Sequence, residues 1–332
     1  MTQIIFQNNA YKVAKGDDVL TTLLNTGVDV PHACRSGICQ SCLMKVTEGT
    51  APVNSQKGLK DTLKAQSYVL ACQCHPDESL TLEFPSVVTT RYKSHVLSKQ
   101  QLSHNVIQIK LKRPKNFNFR AGQFVTLWKD ATLARCYSIA STPDDNELEF
   151  HIREIPQGQF SGWAANEAME NTAIEIQEPS GSCFYIEGSP GAELVLIGTG
   201  TGLAPLQGIL LEAIKAGHKG RIDLFHGALN PDGLYNTDLL MSLADKHENV
   251  FYHACVLDKG DEQNNDIDYL EGNISELVFE KISSMAGKKV YLCGDPDLVN
   301  LLQTKTFLAG ANSQDIYIDA FAFSNTTPKP CN

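Results

Sequence analysis

Long hydrophobic runs are missing from this chain of 332 residues. Its most apolar stretch, residues 194–214, is broken by Gly198, Gly200, Gly202 and Pro205, so no segment supplies the ~20 consecutive apolar residues of a membrane-spanning helix. The first residues also lack the basic and apolar regions of a secretion signal. We therefore expect a cytoplasmic protein with no membrane segment.

Positive charge is scarce as well, because 28 Lys and Arg stand against 38 Asp and Glu, which gives a net charge of −10. This balance argues against nucleic acid or an anionic membrane as the main partner. The hydrophobic content of 42% is ordinary for a soluble globular protein, and the length suggests two or three domains.

Three regions differ in the spacing of their apolar residues. Residues 1–88 combine short strand-like runs with a helix-like run at 19–24, which follows the cap candidates Asp17 and Asp18. Residues 89–188 hold one helix and six strand-like runs, a pattern typical of an antiparallel barrel or sandwich. The expected strands there are 94–97, 106–111, 124–128, 136–140, 148–152 and 173–177. From residue 189 to 332, strands alternate with helices, which predicts a parallel α/β sheet.

Cysteine, in contrast, is plentiful: ten thiols without a secretion signal indicate a reducing compartment, where clustered cysteines more often hold metal than form disulfides. Cys34, Cys39 and Cys42 have the spacing C-x4-C-x2-C, and Cys72 lies far downstream. This is the plant-type ferredoxin arrangement, in which four thiolates ligate a [2Fe–2S] cluster. The loop between the first three is rich in small residues, which lets its backbone approach the cluster.

Two other metal sites use some of the same residues. A zinc ribbon could combine the C-x2-C pair with Cys72, Cys74 and His75, because zinc accepts mixed ligands, but it leaves Cys34 without a role. A Rieske cluster needs two histidines, and His32 and His75 lack the usual pairing with cysteine. Cys74 is not expected to be a ligand, since one strand cannot easily aim both Cys72 and Cys74 at one iron.

At these cysteines the first region resembles plant-type ferredoxins, which have a β-grasp fold. The rest of the chain resembles the ferredoxin–NADP reductase superfamily. Together they resemble the NAD(P)H-dependent reductase components of bacterial multicomponent oxygenases, such as benzoate dioxygenase reductase. The resemblance implies a multidomain α+β and α/β protein. The expected domains are a β-grasp ferredoxin domain at 1–88, an antiparallel β-barrel FAD domain at 89–188 and a parallel α/β NAD(P)H-binding domain at 189–332.

A flavin motif follows from this resemblance at Arg135, Tyr137 and Ser138, which match the family pattern R-x-Y-S. An arginine offers donors for a pyrophosphate, a tyrosine a flat face for the flavin, and a serine a hydroxyl group. In the family the serine lies near flavin N5, so Ser138 is expected to be catalytic. The alternative is an exposed strand with Arg135 in an ion pair.

Two further segments are expected to contact the flavin cofactor. His151, Ile152 and Arg153 resemble the family strand whose backbone lines the isoalloxazine. Gly158 and Ser161 precede or open a helix, where Ser161 and the first N–H groups could hold a phosphate; a plain N-cap is the other interpretation of Ser161. FAD is expected rather than FMN, because the barrel precedes the nucleotide domain as in FAD-dependent relatives.

A glycine-rich turn follows the predicted strand at 194–197. It does not have the Rossmann spacing G-x-G-x-x-G, but it fits the family pattern G-x-G-x-[GA]-x-x-P, in which backbone N–H groups approach a pyrophosphate at a helix N-terminus. The resemblance assigns the nicotinamide nucleotide to Gly198, Thr199, Gly200, Thr201, Gly202 and Pro205.

A second nucleotide motif, C-G-x-P, is formed by Cys293, Gly294, Asp295 and Pro296. In the family this cysteine lies near the hydride-donating carbon of the nicotinamide, so Cys293 is expected to be catalytic; a cysteine that is merely buried at a strand end is the alternative. Both turns fall at the carboxyl ends of strands, where open α/β sheets bind ligands.

Two further expectations concern the aromatic residue that covers the flavin and the choice between NADH and NADPH. The family places an aromatic residue over the flavin after the last strand, and Phe321 is preferred to Phe323 for this position; packing under the sheet edge is the alternative. NADH is expected rather than NADPH, because Leu229 offers no charge to a 2′-phosphate and Asp232 would repel one.

The resemblance implies an electron chain in which hydride passes from NADH to FAD near Ser138. Single electrons then leave through the cluster to an oxygenase or hydroxylase component. A monomer is expected. Three alternatives stay open: a reductase that serves a deoxysugar dehydratase, a ferredoxin-like electron carrier or redox sensor, and a zinc-stabilised binding module.

Overall fold

The computed structural model describes residues 2–30, 42–85, 90–130, 133–260 and 267–321. The chain divides into two compact units, Met1–Val87 and Val88–Cys331. The boundary predicted at residue 188, between a barrel and a nucleotide-binding domain, lies inside the second unit. Within the described ranges, no helix combines the length and the apolar character needed to cross a membrane.

One five-stranded sheet forms the first unit. Its elements are β1 (Gln3–Phe6), β2 (Asn9–Lys12), α1 (Val19–Asn25), β3 (Leu43–Glu48), α2 (Asp61–Ala65), β4 (Tyr68–Leu70) and β5 (Leu80–Glu83). The strand order is β2-β1-β5-β3-β4, with β1 and β5 parallel and the other neighbours antiparallel. Helix α1 begins where the Asp18 carboxylate accepts a hydrogen bond of 2.6 Å from the N–H of Thr21, an N-cap that fits the predicted helix start.

The core of the first unit lies between this sheet and α1. Ile4 and Phe6 alternate with exposed residues along β1, so they point to one face of the sheet and are fully buried there. Val19, Leu20 and Leu23 of α1 cover the same face. A small mixed sheet with a helix across it is the predicted β-grasp fold.

Six antiparallel strands begin the second unit and close into a barrel. They are β6 (Arg91–Ser103), β7 (Val106–Lys112), β8 (Phe124–Trp128), β9 (Ala134–Ser138), β10 (Glu147–Arg153) and β11 (Ala173–Gln177), with α3 (Gln159–Asn166) after β10. Their order is β10-β7-β6-β11-β8-β9. A bridge between Ile139 and Phe150 joins the two edge strands, and the N–H of Ala140 donates to the carbonyl of Glu149 at 2.9 Å. The predicted antiparallel barrel is confirmed.

A six-stranded parallel sheet follows in the same unit. Its elements are β12 (Leu194–Thr199), α4 (Leu203–Lys215), β13 (Ile222–Ala228), α5 (Thr237–Lys246), β14 (Val250–Val256), β15 (Leu270–Glu271), α6 (Ile274–Lys281), β16 (Lys289–Gly294), α7 (Pro296–Leu308) and β17 (Ile316–Ala320). The order is β15-β14-β13-β12-β16-β17. Leu194 and Leu196 pack with α4 and α5, whereas Val195 and Ile197 pack with α6 and α7, so both faces of the sheet are buried.

The elements differ from prediction where apolar patterning is weak. Strand β6 spans thirteen residues instead of 94–97, because its polar residues 98–101 still pair with β7 although they show no apolar alternation. Strand β9 ends at Ser138 instead of residue 140, and the chain then bridges to β10. The short α2 and β15, of five and two residues, gave no periodic signal.

Candidate functional site

Cys42 and Cys72 lie at the same end of the β3–β4 ladder in the first unit. Leu43 pairs with Leu70, and the N–H of Ala71 donates to the carbonyl of Cys42 at 3.0 Å, which brings the two cysteines to neighbouring positions across the ladder. Both are buried, with 3% and 5% exposure. Two cysteines at neighbouring positions of one ladder fit the third and fourth ligands of a [2Fe–2S] cluster.

The other two predicted ligands, Cys34 and Cys39, lie outside the described residues. Within the described ranges, no three His, Cys, Asp or Glu side chains are grouped so that they could hold a metal ion. The amide Nε2 of Gln73 lies 3.7 Å from Cys72 Sγ, and donors of this kind tune cluster sulfurs. The structure therefore describes half of the predicted cluster site.

Cys74 and His75, the extra ligands of the zinc-ribbon interpretation, are both engaged elsewhere. Cys74 is fully buried in the core, where burial raises the pKa of its thiol to about 12. Its carbonyl accepts from the N–H of Val19 at 2.9 Å. His75 is exposed, and its Nδ1 lies 3.2 Å from the carbonyl of Asp17. The described geometry therefore gives the zinc ribbon no support.

The residues of the flavin motif lie on β9, at the rim of the barrel. Ser138 is buried, and Arg135 and Tyr137 are half-buried. The Tyr137 ring packs against Phe160 of α3 with 5.4 Å between ring centroids, which joins the motif to that helix. Arg135 Nη1 donates to the carbonyl of Ala134 at 2.7 Å. A half-buried ring and a guanidinium on one strand are suited to holding a flavin and its pyrophosphate.

Ser161 lies in the first turn of α3, and its hydroxyl accepts from the N–H of Ile155 at 3.1 Å. The N-cap of the helix is Gly158, so the N-cap interpretation of Ser161 is wrong. The first N–H groups of an α-helix have no acceptor within the helix, which is the condition for binding a phosphate there. Ser161 shapes the turn that presents these groups.

Strand β10 separates the barrel core from the nucleotide-binding half of the unit. Ile152 is fully buried in the barrel, whereas the side chains of His151 and Arg153 point to the opposite face. His151 is 3% exposed, and the Arg153 guanidinium lies against Gly200. The predicted contact with the flavin involves the backbone of these residues. The side chains of His151 and Arg153 are therefore left to contact other parts of the protein.

The glycine-rich turn leads from β12 into α4, as predicted. Gly200 has φ +52°, and a Cβ there would overlap the guanidinium of Arg153. A Cβ at Gly202 would overlap the carbonyl of Cys293, so the turn can lie against both neighbours only without side chains. This backbone cradle fits a bound pyrophosphate. The other motif residues are Gly198 and Thr199 at the end of β12, Thr201 within the 3-10 turn, and Pro205 in the first turn of α4.

The C-G-x-P motif spans the end of β16 and the start of α7. Cys293 is 2% exposed, and Gly294 is the last residue of the strand. The Asp295 carboxylate accepts from the N–H groups of Asp297 and Leu298, both at 3.1 Å, and Pro296 opens the helix. Asp295 and Pro296 thus fix the direction in which the chain leaves Cys293.

Ser138 and Cys293 come together through Asp319, which the motifs did not predict. Ser138 Oγ donates to Asp319 Oδ2 at 2.7 Å across 181 residues of sequence. Asp319 is the register partner of Cys293 in the β16–β17 pair. The predicted catalytic residues of the barrel and of the parallel sheet therefore meet at one site. A polar residue at the carboxyl end of a parallel strand was the available signal for Asp319.

Burial shifts the pKa values of Asp319 and Cys293 at this site. It raises the pKa of Asp319 to about 6, although the hydrogen bond from Ser138 opposes the shift. Burial also raises the pKa of the Cys293 thiol, together with Cys183, whose Sγ lies 3.8 Å from Cys293 Sγ. Cys293 therefore stays a neutral thiol, suited to contacting a ligand rather than attacking one. No sequence motif pointed to Cys183.

Phe321 follows β17 and lies beside the C-G-x-P motif. Its N–H donates to the carbonyl of Gly294 at 2.8 Å, and the residue is half-buried. The second choice, Phe323, lies outside the described residues. In the loop after β13, Leu229 is 76% exposed, and the carbonyl of Asp232 lies 3.2 Å from Nδ1 of His104. Residues 229–235 contain no Lys or Arg.

Three protein-family models match consecutive parts of the chain. A 2Fe-2S iron-sulfur cluster binding domain matches residues 6–77, an oxidoreductase FAD-binding domain matches 93–185, and an oxidoreductase NAD-binding domain matches 196–304. The chain is 31% identical over 324 residues to the ferredoxin–NAD(P)(+) reductase component of the naphthalene 1,2-dioxygenase system of Pseudomonas putida, covering 95% of this chain and 96% of the relative.

The chain belongs to the family of ferredoxin–NAD(P) reductase components of oxygenase systems. It is 30% identical over 329 residues to the reductase component of phenol 2-monooxygenase from Pseudomonas sp. strain CF600, covering 93% of this chain and 91% of the relative. It is therefore an NAD(P)H-dependent oxidoreductase whose cofactors are a [2Fe–2S] cluster, FAD and a nicotinamide nucleotide. The predicted family, cofactors and enzyme class are confirmed.

A solved structure has a similar fold over nearly the whole length of the chain. The cytochrome P450 reductase of Amycolatopsis matches with a TM-score of 0.66 at 24% identity, covering 97% of this chain and 99% of that chain. The predicted fold class, with its β-grasp, barrel and parallel α/β parts, is confirmed.

Proposed function

We propose that this reductase takes hydride from NADH onto FAD and passes single electrons through its [2Fe–2S] cluster to an oxygenase or hydroxylase component. The observation that carries the proposal is the contact between Ser138 of the FAD-binding barrel and Asp319, the strand partner of Cys293. It joins the predicted flavin position to the predicted nicotinamide position within one compact unit. When bound, the cofactors supply the redox chemistry, and the chain positions them.

On the flavin side, Tyr137 would pack against the cofactor, and Arg135 with the first N–H groups of α3 would hold its phosphates. Ser138 would present its hydroxyl to the ring. The same hydroxyl donates to Asp319, so Ser138 also links the flavin side to the last strand of the parallel sheet. Phe321 would cover the ring face that the nicotinamide later occupies.

On the nucleotide side, the turn from Gly198 to Gly202 would hold the pyrophosphate, with Thr199 and Thr201 as hydroxyl donors. Cys293 would contact the nicotinamide as a neutral thiol. The loop after β13 offers no cation to a 2′-phosphate, and Leu229 is exposed where a charge would be needed. We therefore favour NADH, and an NADPH kcat/KM equal to that of NADH would contradict this choice.

On the exit side, Cys34, Cys39, Cys42 and Cys72 would ligate the cluster. The relatives at 30–31% identity are named as reductase components of a dioxygenase system and of a monooxygenase, which favours an oxygenase or hydroxylase as acceptor over a deoxysugar dehydratase.

We also propose that the protein works as a monomer in the cytoplasm. No disulfide joins any two of the cysteines in the described ranges, as expected in a reducing compartment. Light scattering during size-exclusion chromatography tests the first point, since a molar mass near 36.4 kDa marks a monomer.

An anaerobic titration of the purified protein with NADH, followed by absorbance, tests the electron chain. Flavin takes two electrons and the cluster one, so bleaching of both should be complete at about 1.5 equivalents of NADH. A colourless protein, or flavin bands without a cluster envelope, would exclude the proposed chain. Bleaching that ends at one equivalent would exclude electron transfer from flavin to cluster.

A further inference from the structure

Three polar side chains of β10 face away from the barrel, toward the parallel sheet. They are Glu149, His151 and Arg153, and they alternate with three fully buried apolar residues that fill the barrel core. The nucleotide-binding half of the unit therefore meets a polar strip of the barrel. Each member of this strip has a partner on the other side.

Tyr235 and Glu149 hold the two ring nitrogens of His151. His151 Nε2 lies 2.9 Å from Glu149 Oε1, and its Nδ1 lies 3.1 Å from the hydroxyl of Tyr235. Because a carboxylate only accepts, Nε2 carries the proton, and in the neutral ring the Tyr235 hydroxyl donates to Nδ1. Tyr235 lies between β13 and α5, so this chain of hydrogen bonds crosses from the nucleotide-binding half to the barrel.

Gln207 of α4 makes a second crossing. Its Nε2 donates to Glu149 Oε1 at 3.0 Å, and its Oε1 accepts from Asn236 Nδ2 at 2.8 Å. Burial opposes ionisation of Glu149, but the hydrogen bonds from His151 and Gln207 together with the charges of His151 and Lys110 hold the pKa of this carboxyl below its ordinary value. One carboxylate thus ties a barrel strand to α4, the helix that the glycine-rich turn opens.

These groups are buried and satisfied together, which makes their geometry specific. His151, Gln207 and Tyr235 are each 3% exposed or less. In a site of low dielectric constant such hydrogen bonds are strong, and losing one partner leaves a buried polar group unpaired. The Arg153 guanidinium on the same strip lies directly against Gly200. The strip therefore contacts both the start of the turn and the helix that follows it.

We propose that Glu149, His151 and Tyr235 are positioning residues that fix the glycine-rich turn against β10 and so set the approach of the nicotinamide to the flavin. The proposal rests on the proposed function, because it concerns the alignment of its two reacting groups. It adds a role for side chains that hold neither cofactor: they hold the two cofactor sites at a working distance.

The chain provides a matched control in a second buried tyrosine–histidine pair. The Tyr185 hydroxyl lies 3.2 Å from Nδ1 of His218, and Tyr185 is 5% exposed against 2% for Tyr235. The rings are arranged edge to face in both pairs. The second nitrogen of His218 is held by the carbonyl of Ala192 instead of a barrel carboxylate. Tyr185→Phe thus removes the same hydroxyl without touching the strip.

The experiment compares Tyr235→Phe, Tyr185→Phe and the parent holoprotein. Flavin bleaching after anaerobic mixing with NADH gives the limiting rate constant and the apparent Kd for NADH. Tyr235→Phe should lower the rate constant about tenfold and change the Kd less than twofold, since misalignment penalises the reacting geometry more than binding. Tyr185→Phe should change the rate constant less than twofold. Glu149→Gln, which keeps the shape of the side chain and removes its charge, should fall between them.

Hydrogen exchange without NADH gives the second readout. In Tyr235→Phe, amides of residues 147–153 and 198–206 should exchange faster than in the parent, and in Tyr185→Phe they should not. A Tyr235→Phe protein with parental flavin reduction and parental exchange would overturn the proposal, as would equal effects of the two tyrosine variants. Since exchange is read without NADH, a parent that fails to oxidise NADH would contradict the proposed function and leave this test standing.

Discussion

The two compact units assemble their sites in different ways. In the first unit, Cys42 and Cys72 lie at one end of the β3–β4 ladder, and the other two predicted ligands precede β3 in the sequence. In the second unit, the Ser138–Asp319 contact spans 181 residues and joins a barrel strand to the last strand of another sheet. The first site follows from local spacing, whereas the second exists only when two separate sheets are correctly packed together. A substitution of a cluster ligand should therefore leave the flavin reaction intact. A substitution of one residue of the second site should also impair the function of the others.

The largest expected effect comes from Cys72→Ala, with Cys74→Ala as the control variant. The pair tests whether the cluster site can be lost without loss of the flavin reaction. Removing Cys72 should lower NADH-dependent cytochrome c reduction more than about 100-fold by loss of the cluster, while ferricyanide reduction, which draws on the flavin, stays within about twofold. Cys74→Ala should keep the cluster spectrum and cost only about 1–2 kcal/mol of stability, because it empties part of a packed core. Normal cytochrome c reduction by Cys72→Ala would refute the ligand assignment.

Ser138→Ala probes the shared site. It removes the hydroxyl that donates to Asp319, and flavin reduction by NADH should slow about 10- to 100-fold while the cluster spectrum stays intact. If the site acts as one arrangement, combining Ser138→Ala with Asp319→Ala should slow the reaction less than the product of the single effects. Fully multiplicative effects in stopped-flow measurements would show that the two residues act independently.

Gly202→Ala tests the contact between the glycine-rich turn and β16, and its expected effect is smaller. An added Cβ would meet the carbonyl of Cys293, so the turn must move and the KM for NADH should rise about tenfold. Gly191→Ala is the control, because nothing lies within 4 Å of its added Cβ, and its KM should stay within twofold. Equal KM values for the two variants in steady-state assays would contradict the close approach.

The smallest expected effect is on stability. The pKa of Asp319 is raised from 3.8 to about 6 in the folded protein. Protonation of Asp319 therefore stabilises the folded state, and this contribution is complete below pH 4 and is lost as the pH rises through 6. Asp319→Asn is neutral throughout, and at pH 8 it should raise the Tm of the second unit by about 2–5 °C relative to the parent. The difference should shrink at pH 5. A Tm gain of the same size at both pH values would show that burial of the charge is not the cause.

The sequence predicted local features better than contacts between distant segments. Asp18 before an apolar run predicted the start of α1, and glycines after an apolar strand predicted the turn into α4. The spacing C-x4-C-x2-C singled out Cys42, because metal ligation by one short segment restricts the number of residues between ligands, whereas Cys72, far downstream, followed from the plant-type ferredoxin arrangement.

Other features could not be predicted because they depend on register and packing. Asp319 belongs to no motif, and its role follows only from its place beside Cys293 and beneath Ser138. The hydrogen bond between His151 and Tyr235 could not be predicted for the same reason, since it joins residues from separate halves of the unit. The N-cap interpretation of Ser161 is wrong because the N-cap lies three residues earlier, at Gly158, a shift that propensity does not resolve.

The central claim is that electrons enter at the site of Ser138, Asp319 and Cys293 and leave through the cluster. The most direct measurement is reduction of the cluster by NADH in protein from which FAD has been removed while the cluster is retained. The account predicts that NADH leaves the cluster oxidised and that added FAD restores bleaching of the flavin first and the cluster second. Bleaching of the cluster by NADH at its normal rate without FAD would contradict the account.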